Sequence, residues 1–294
     1  MKNWSEFAHR IIRALILSAF ALFIMHAQRT DALVYFIAPR MMVWVNFLVI
    51  GMCVLAVHQW YLAVKNVLPG RKQEQASCAC ASHHHHHSKS ALIAYGALAV
   101  PVMLTLIFPN QVLGSQMAAQ KGLNLTPSSI LLNTAGKGIE PQSGMNAEFP
   151  SNESTRPYAN LAAEMIHKPV IPIPEDMYIE SLTSLDLYRD RFAGKKVELK
   201  GYVYRMKGMA ENQFAIGRFS MRCCVADTVP LAMMAELGDA KEWKDDMYVD
   251  AVGEIELRSF GGKSVPTIVI KSITEVADEL PDNPYVYQNP YFGV

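Results

Sequence analysis

FAIGRFSMRCCVAD, residues Phe214 to Asp227, opens as a half-buried strand and closes on two neighbouring cysteines and an aspartate. Phe214 and Ile216 stand on even numbers, whereas Phe219, Met221 and Cys223 stand on odd ones, so the apolar period of two slips by one residue. Gly217 and Arg218 occupy the slip, which is where a β-bulge is expected. In a continuing strand, successive side chains alternate faces. Cys223 then points into the core, and Cys224 faces outward near Asp227. Consecutive Cα atoms are about 3.8 Å apart, below the roughly 4.4–6.8 Å usual for a disulfide, so this pair closes a bond only with strain. Cys223 can equally be a small core hydrophobe. Arg218, Cys224 and Asp227 are the exposed candidates for a site.

The flanks read as more strands. From Lys195 the period is two, with Val197, Leu199 and Val203 on one face. Met247 to Arg258 alternates again through Val249, Ala251, Ile255 and Leu257, and Val265 to Val276 closes the series. Leu231 to Leu237 is ambiguous between strand and helix. Ahead of them, Met177 to Phe192 carries Tyr178, Leu182 and Leu185 at helical spacing and predicts one amphipathic helix. Five short strands with an intervening helical turn fit a small OB-like β-barrel over residues 176–280. The Pro- and Tyr-rich tail, 281–294, is expected along the surface.

Towards the N-terminus the chain becomes apolar. Ile11 to Ala27 is almost uninterrupted hydrophobic sequence behind Lys2, Arg10 and Arg13; a signal peptide has a similar shape, but further apolar spans favour a retained helix. Met41 to Val64 is long enough to cross about 30 Å of hydrocarbon, and Ala91 to Phe108 is a third, shorter span. The expected fold class is therefore membrane-anchored α + β: three transmembrane helices within residues 1–108, a linker over 109–175, then the β domain. Short helices are admitted at Val112 to Gln120 and Tyr158 to Met165, and the IPIPE run at 171–175 should be extended. Asn46 and Cys53 share a helix face but His58 sits well round from them, so the three form no convergent site and read as helix packing. Lys and Arg concentrate at the N-terminus and in the loop at 65–90, so the positive-inside rule places both in the cytoplasm and the β domain outside.

Before Glu175 there are 13 Lys and Arg against 7 Asp and Glu; from Glu175 on, 14 against 20. An acidic outer half lacks the clustered cations that a phosphate backbone requires, which argues against nucleic acid. No Ser/His/Asp, HExxH or P-loop pattern is present, and no histidine follows His167; an enzyme is not expected. The strongest ligand set is CACASHHHHH in the 65–90 loop: Cys78, Cys80, His83, His84, His85, His86 and His87. Thiolate and imidazole suit zinc and other transition metals, and the irregular spacing predicts an adaptable site rather than a structural clamp. A low-complexity loop with no metal role is the alternative.

FIAPRM at 36–41, the Cys/His loop, GYVYR at 201–205 and F-x-I-x-R-F-x-M-x-CC-x-AD at 214–227 together resemble the YcgQ-like family of bacterial membrane proteins. The resemblance covers nearly the whole chain and is weakest over 110–175. It implies a permease subunit in the inner membrane, a multi-spanning YcgR-like permease as partner, and a link to zinc homeostasis. It supplies no catalytic residues; Arg218, Cys223, Cys224 and Asp227 are candidates because they match its most specific segment. The reading is an accessory permease subunit with a metal-binding cytoplasmic loop and an outer domain that presents substrate or gates access. The alternative is a membrane-anchored thiol redox protein acting through Cys223 and Cys224, weakened by the lack of a Cys-x-x-Cys pair.

Overall fold

A computed structural model describes residues 2–65, 96–97, 100, 103, 114–129, 149–276 and 283–293. The chain divides into two compact units, Met1–Gln111 and Val112–Val294.

In the first unit, α1 (Lys2–Arg29) and α2 (Met42–Lys65) form a hairpin. Asp31 takes a left-handed backbone (φ 53°) and ends α1, and Pro39 opens the turn that leads into α2. Two stretches, Ile11–Arg29 and Pro39–Lys65, are apolar and long enough to cross a membrane. Their seam is narrow. Ala14 and Ala21 on one helix and Val49, Ala56 and Ala63 on the other are buried at intervals of seven, the spacing of a left-handed helix pair. Small side chains let the backbones approach. Two polar bonds pin the register: Trp60 Nε1 donates to Ser18 Oγ at 3.2 Å and Gln28 Nε2 to Asn46 Oδ1 at 2.8 Å. Asn46 is thus part of the packing. Opposite the seam, Phe47, Ile50, Val54, Val57, Tyr61 and Val64 form one exposed apolar stripe. Of the third expected span, residues 96, 97, 100 and 103 are helical; the rest, and the Cys/His loop at 78–87, lie outside the described residues.

The second unit is a mixed sheet with helices packed on it. Its strands are β1 (Ile171–Pro172), β2 (Lys196–Tyr204), β3 (Gln213–Ser220), β4 (Val229–Glu236), β5 (Tyr248–Phe260), β6 (Lys263–Glu275) and β7 (Tyr285–Val286). They pair in the order β1-β2-β5-β6-β4-β3-β7, and β3 also pairs back with β2 over Tyr202–Tyr204. β4 and β6 run parallel; the other long pairs are antiparallel. Helices α3 (Ser115–Lys121), α4 (Arg156–Met165), α5 (Tyr178–Leu187) and α6 (Arg189–Phe192) complete the unit. The main core joins Val197, Leu199 and Val203, Phe214 and Ile216, and Val249, Ala251 and Ile255 to Leu182 and Leu185 of α5.

Several expectations change. β3 pairs with β4 without interruption from Gln213↔Glu236 to Ser220↔Val229, so there is no bulge at Gly217 and Arg218. The alternation slipped because β3 and β4 are covered on both sides: a second cluster of Leu125, Ala215, Ala232, Met234 and Val265 lies on the face away from the main core. The register shift falls instead between Val252 and Gly253, leaving Lys271 of β6 as the extra residue. Gly217 has a different task. A Cβ there would lie 2.2 Å from the Leu231 carbonyl oxygen, so only glycine lets β3 approach β4 so closely.

The helix expected over 177–192 breaks at Tyr188 (φ −114°, ψ 31°) into α5 and α6. α5 is buried nearly all round rather than on one face, because α4, the C-terminal tail and residues around Ser128 surround it. Residues 149–175 are no linker: Phe149, Ala162, Met165 and Ile171 belong to the core. The ambiguous stretch at 231–237 falls mostly in β4. The tail is not wholly superficial either, since Tyr285 and Val286 are buried and pair in parallel with Phe219 and Ser220.

Candidate functional site

The cysteines sit in the β3–β4 connection. β3 ends at Ser220, and Met221, still buried, donates its N–H to Val286 O at 3.0 Å. The chain then turns, and Val225–Asp227 makes a single 3₁₀ turn before β4 begins. The Asp227 carboxylate folds back over this loop. It accepts the N–H of Arg222 at 3.0 Å and of Cys223 at 2.8 Å, together with the Cys223 thiol at 2.8 Å. An aspartate that collects consecutive backbone donors is the side-chain answer to a turn whose N–H groups have left the ladder.

A second clamp comes from α3. Asp246 holds the start of that helix through the N–H and hydroxyl of Ser115, at 2.6 and 2.7 Å. At the other end of α3, Lys121 Nζ donates to Ala226 O at 3.3 Å and to Thr228 O at 2.9 Å. The loop is therefore fixed from both sides.

Strand phase does not survive into this turn. Cys223 is exposed and Cys224 half-buried, the reverse of the expected inward and outward placement, because the strand stops at Ser220, three residues before Cys223. The two sulfurs lie 3.9 Å apart on the same side. The Cys223 thiol is pushed up to about 11, chiefly by its hydrogen bond to Asp227 and then by Cys224. For Asp227, burial pulls upward, but the hydrogen bonds from the Cys223 thiol and from the N–H groups of Cys223, Arg222 and Cys224 outweigh it and hold the carboxyl low. The pair is a protonated thiol beside a carboxylate. That arrangement counts against the redox reading, since thiol exchange begins with thiolate.

Arg218 stands apart from this loop. It is buried, not exposed, and its guanidinium donates to Glu175 Oε1 and to the Asn283 carbonyl. Tyr248 donates its hydroxyl to the same Glu175 oxygen at 3.5 Å. Burial pushes Tyr248 up to about 12, with the Arg218 charge pulling the other way. Tyr178, fully enclosed, is raised further by burial against the same opposing charge. Arg218 thus ties β3 to the residues just before α5 and to the tail. The structure brings Cys223, Cys224 and Asp227 together and assigns Arg218 an architectural place. Lys121 and Glu175 had no signal in the sequence, because their roles depend on contacts more than 40 residues away.

Beneath the loop is a cavity of about 300 Å³, walled by Ile179, Met221 and Val229 and edged by Tyr158, Arg222 and Asp227. Among the described residues no group of three or more His, Cys, Asp or Glu is arranged to hold a metal.

Fold and site define the class: an apolar helical hairpin joined to a mixed-sheet domain that carries a rigid two-cysteine loop. The chain belongs to the DUF1980 family, whose N-terminal domain is matched by residues 12–124 and whose C-terminal domain by residues 148–288. It is similar to the UPF0703 protein YcgQ of Bacillus subtilis (21% identical over 197 residues, 67% of this chain and 68% of that protein). It is also similar to a Streptococcus mutans protein named as a candidate two-component membrane permease complex subunit (22% over 197 residues, 65% of this chain and 72% of that protein).

Proposed function

We propose that this chain is an accessory subunit of a membrane permease complex. The observation that carries the reading is the hairpin: two helices of membrane-crossing length spend only a narrow alanine seam on each other and leave the Phe47-to-Val64 stripe of α2 for another occupant. The name of the Streptococcus mutans relative points the same way. Two or three helices are too few to enclose a transport path, so the path belongs to a multi-spanning partner of the YcgR-like type. Extraction of the full-length chain in mild detergent should bring a polytopic permease with it in comparable amount. A solitary monomer would overturn the reading.

The finer parts of the proposal are these. Residues 91–108 form a third crossing, the N-terminus and the loop at 65–90 are cytoplasmic, and the β domain faces outward in the bacterial inner membrane. The OB-like reading of that domain rests on the return pairing of β3 with β2 and on the single parallel pair of long strands, β4 with β6. Cys78, Cys80 and His83 to His87 bind zinc or another transition metal on the cytoplasmic side, on the strength of their ligand chemistry. Metal analysis of the wild-type protein against a version lacking 78–87 tests this; equal metal content in both would remove the loop from the function.

A further inference from the structure

Cys223 Sγ and Cys224 Sγ lie 3.9 Å apart at a solvent-accessible loop. With metal–sulfur bonds of about 2.3 Å, that separation gives a sulfur–metal–sulfur angle of about 116°, between the tetrahedral and trigonal values. The pair is spaced for one shared ion without rearrangement. Adjacent residues reach this geometry only when the strand has ended, which it has.

The surroundings favour a cation. Asp227 Oδ2 is 2.8 Å from Cys223 Sγ. If Cys223 loses its proton, two anions face each other at that distance, which is strongly unfavourable unless a positive charge lies between or beside them. A proton fills that role in the structure as it stands. The carboxylate is too close to Cys223 for both to ligate one ion, since a sulfur and an oxygen bound to the same metal stand about 3.5 Å apart; on binding it must recede. Two sulfurs in place and a third group at hand make a site with open coordination positions. Open positions leave room for solvent or a further ligand, in contrast to a closed structural centre. Lys121, which donates to the Ala226 and Thr228 carbonyls rather than to Asp227, holds the far side of the loop independently of the carboxylate.

We propose that Cys223 and Cys224 form a dithiol site for a thiophilic d¹⁰ cation of the Zn²⁺ or Cu⁺ class, with Asp227 as the neighbouring anion. The site lies in the β domain, on residues distinct in sequence from those of the Cys/His loop. Binding releases the thiol protons of both Cys223 and Cys224 to solvent as the two sulfur–metal bonds form, so affinity weakens as pH falls.

The test uses the full-length chain, reduced and in detergent, with Cys53, Cys78 and Cys80 changed to Ser and His83 to His87 changed to Ala. Only the two loop thiols then remain. Titration with Cd²⁺, read by its thiolate charge-transfer absorbance, should saturate at one equivalent, and adding Cys224→Ser should weaken binding at least tenfold. A second measurement needs no further variant: an alkylating maleimide should add twice to the metal-free protein and not at all when one equivalent of Zn²⁺ is present. Absence of the absorbance, a Cys224→Ser titration that overlays its parent, or two maleimide additions in the presence of Zn²⁺ would each overturn the proposal.

Discussion

Arg218→Met removes the charge that joins β3 to the start of α5 and to the tail while keeping most of the buried stem volume. Arg218 is 1% exposed, and its guanidinium makes charge-assisted bonds to Glu175 and to the Asn283 carbonyl. Bonds to charged groups contribute about 1.5–3 kcal/mol each. The Glu175 side chain is 60% exposed and returns to water when its partner is lost, so its share is discounted. The Asn283 carbonyl loses its donor outright. The expected destabilisation is about 2–4 kcal/mol, or a fall in Tm of about 4–16 °C for a unit of this size. The tail should be released with it, because Asn283 lies two residues before Tyr285, where the pairing with β3 begins. Thermal unfolding of the full chain in detergent measures the first effect, and limited proteolysis within 283–293 the second. Glu175→Gln should fall between wild type and Arg218→Met. If Arg218→Met melts within about 1 °C of wild type and its tail is cut no faster, the assignment of Arg218 to architecture is wrong.

Asp227→Asn should raise the alkylation rate of Cys223 at neutral pH by about three- to tenfold, since the carboxylate is the largest cause of the raised thiol and nucleophilicity falls partly in step with pKa; an unchanged or slower rate contradicts the loop geometry. Glu180 is buried, with one oxygen accepting the Asn289 N–H and the other unpaired, and burial raises its pKa above the ordinary 4.5. The folded state therefore holds a proton that the unfolded state has lost, and stability falls as pH rises from 4.5 through the folded value. Glu180→Gln should gain on wild type across that window in thermal melts, and a constant difference from pH 4 to 8 would refute this. Gly217→Ala places a methyl group 2.2 Å from a backbone oxygen and 2.5 Å from the Ala232 Cβ. It should cost about 3 kcal/mol or more; wild-type melting would contradict the β3–β4 register.

How much of this was legible depended on one-sided burial. β2 and β5 each have one face on the main core, so their alternation was readable, and Val197, Leu199, Val249 and Ala251 are fully enclosed as expected. β3 and β4 have both faces covered, and a strand buried on both sides has no period to show. That is why Gly217 and Arg218 looked like a bulge. The cysteines were misplaced for a related reason: their phase was extended beyond Ser220, where Asp227 takes over the backbone donors and bends the chain. Hydropathy marked α1 and α2 correctly, but it is blind to the Ala14, Ala21, Ala56 and Ala63 seam, which is a matter of shape. Residues 149–175 looked like linker because Phe149, Ala162 and Ile171 reach the core one at a time, without the periodicity of a long element.

The apolar stripe of α2 offers the most direct test. A photo-crosslinking residue introduced singly at Val54 and at Val57, which are 63% and 68% exposed, can be activated in native membranes and its adducts identified by mass spectrometry. A covalent adduct to a multi-spanning permease is expected from at least one of the two positions. Adducts to lipid alone from both would contradict the role of this hairpin as the anchor of a permease subunit.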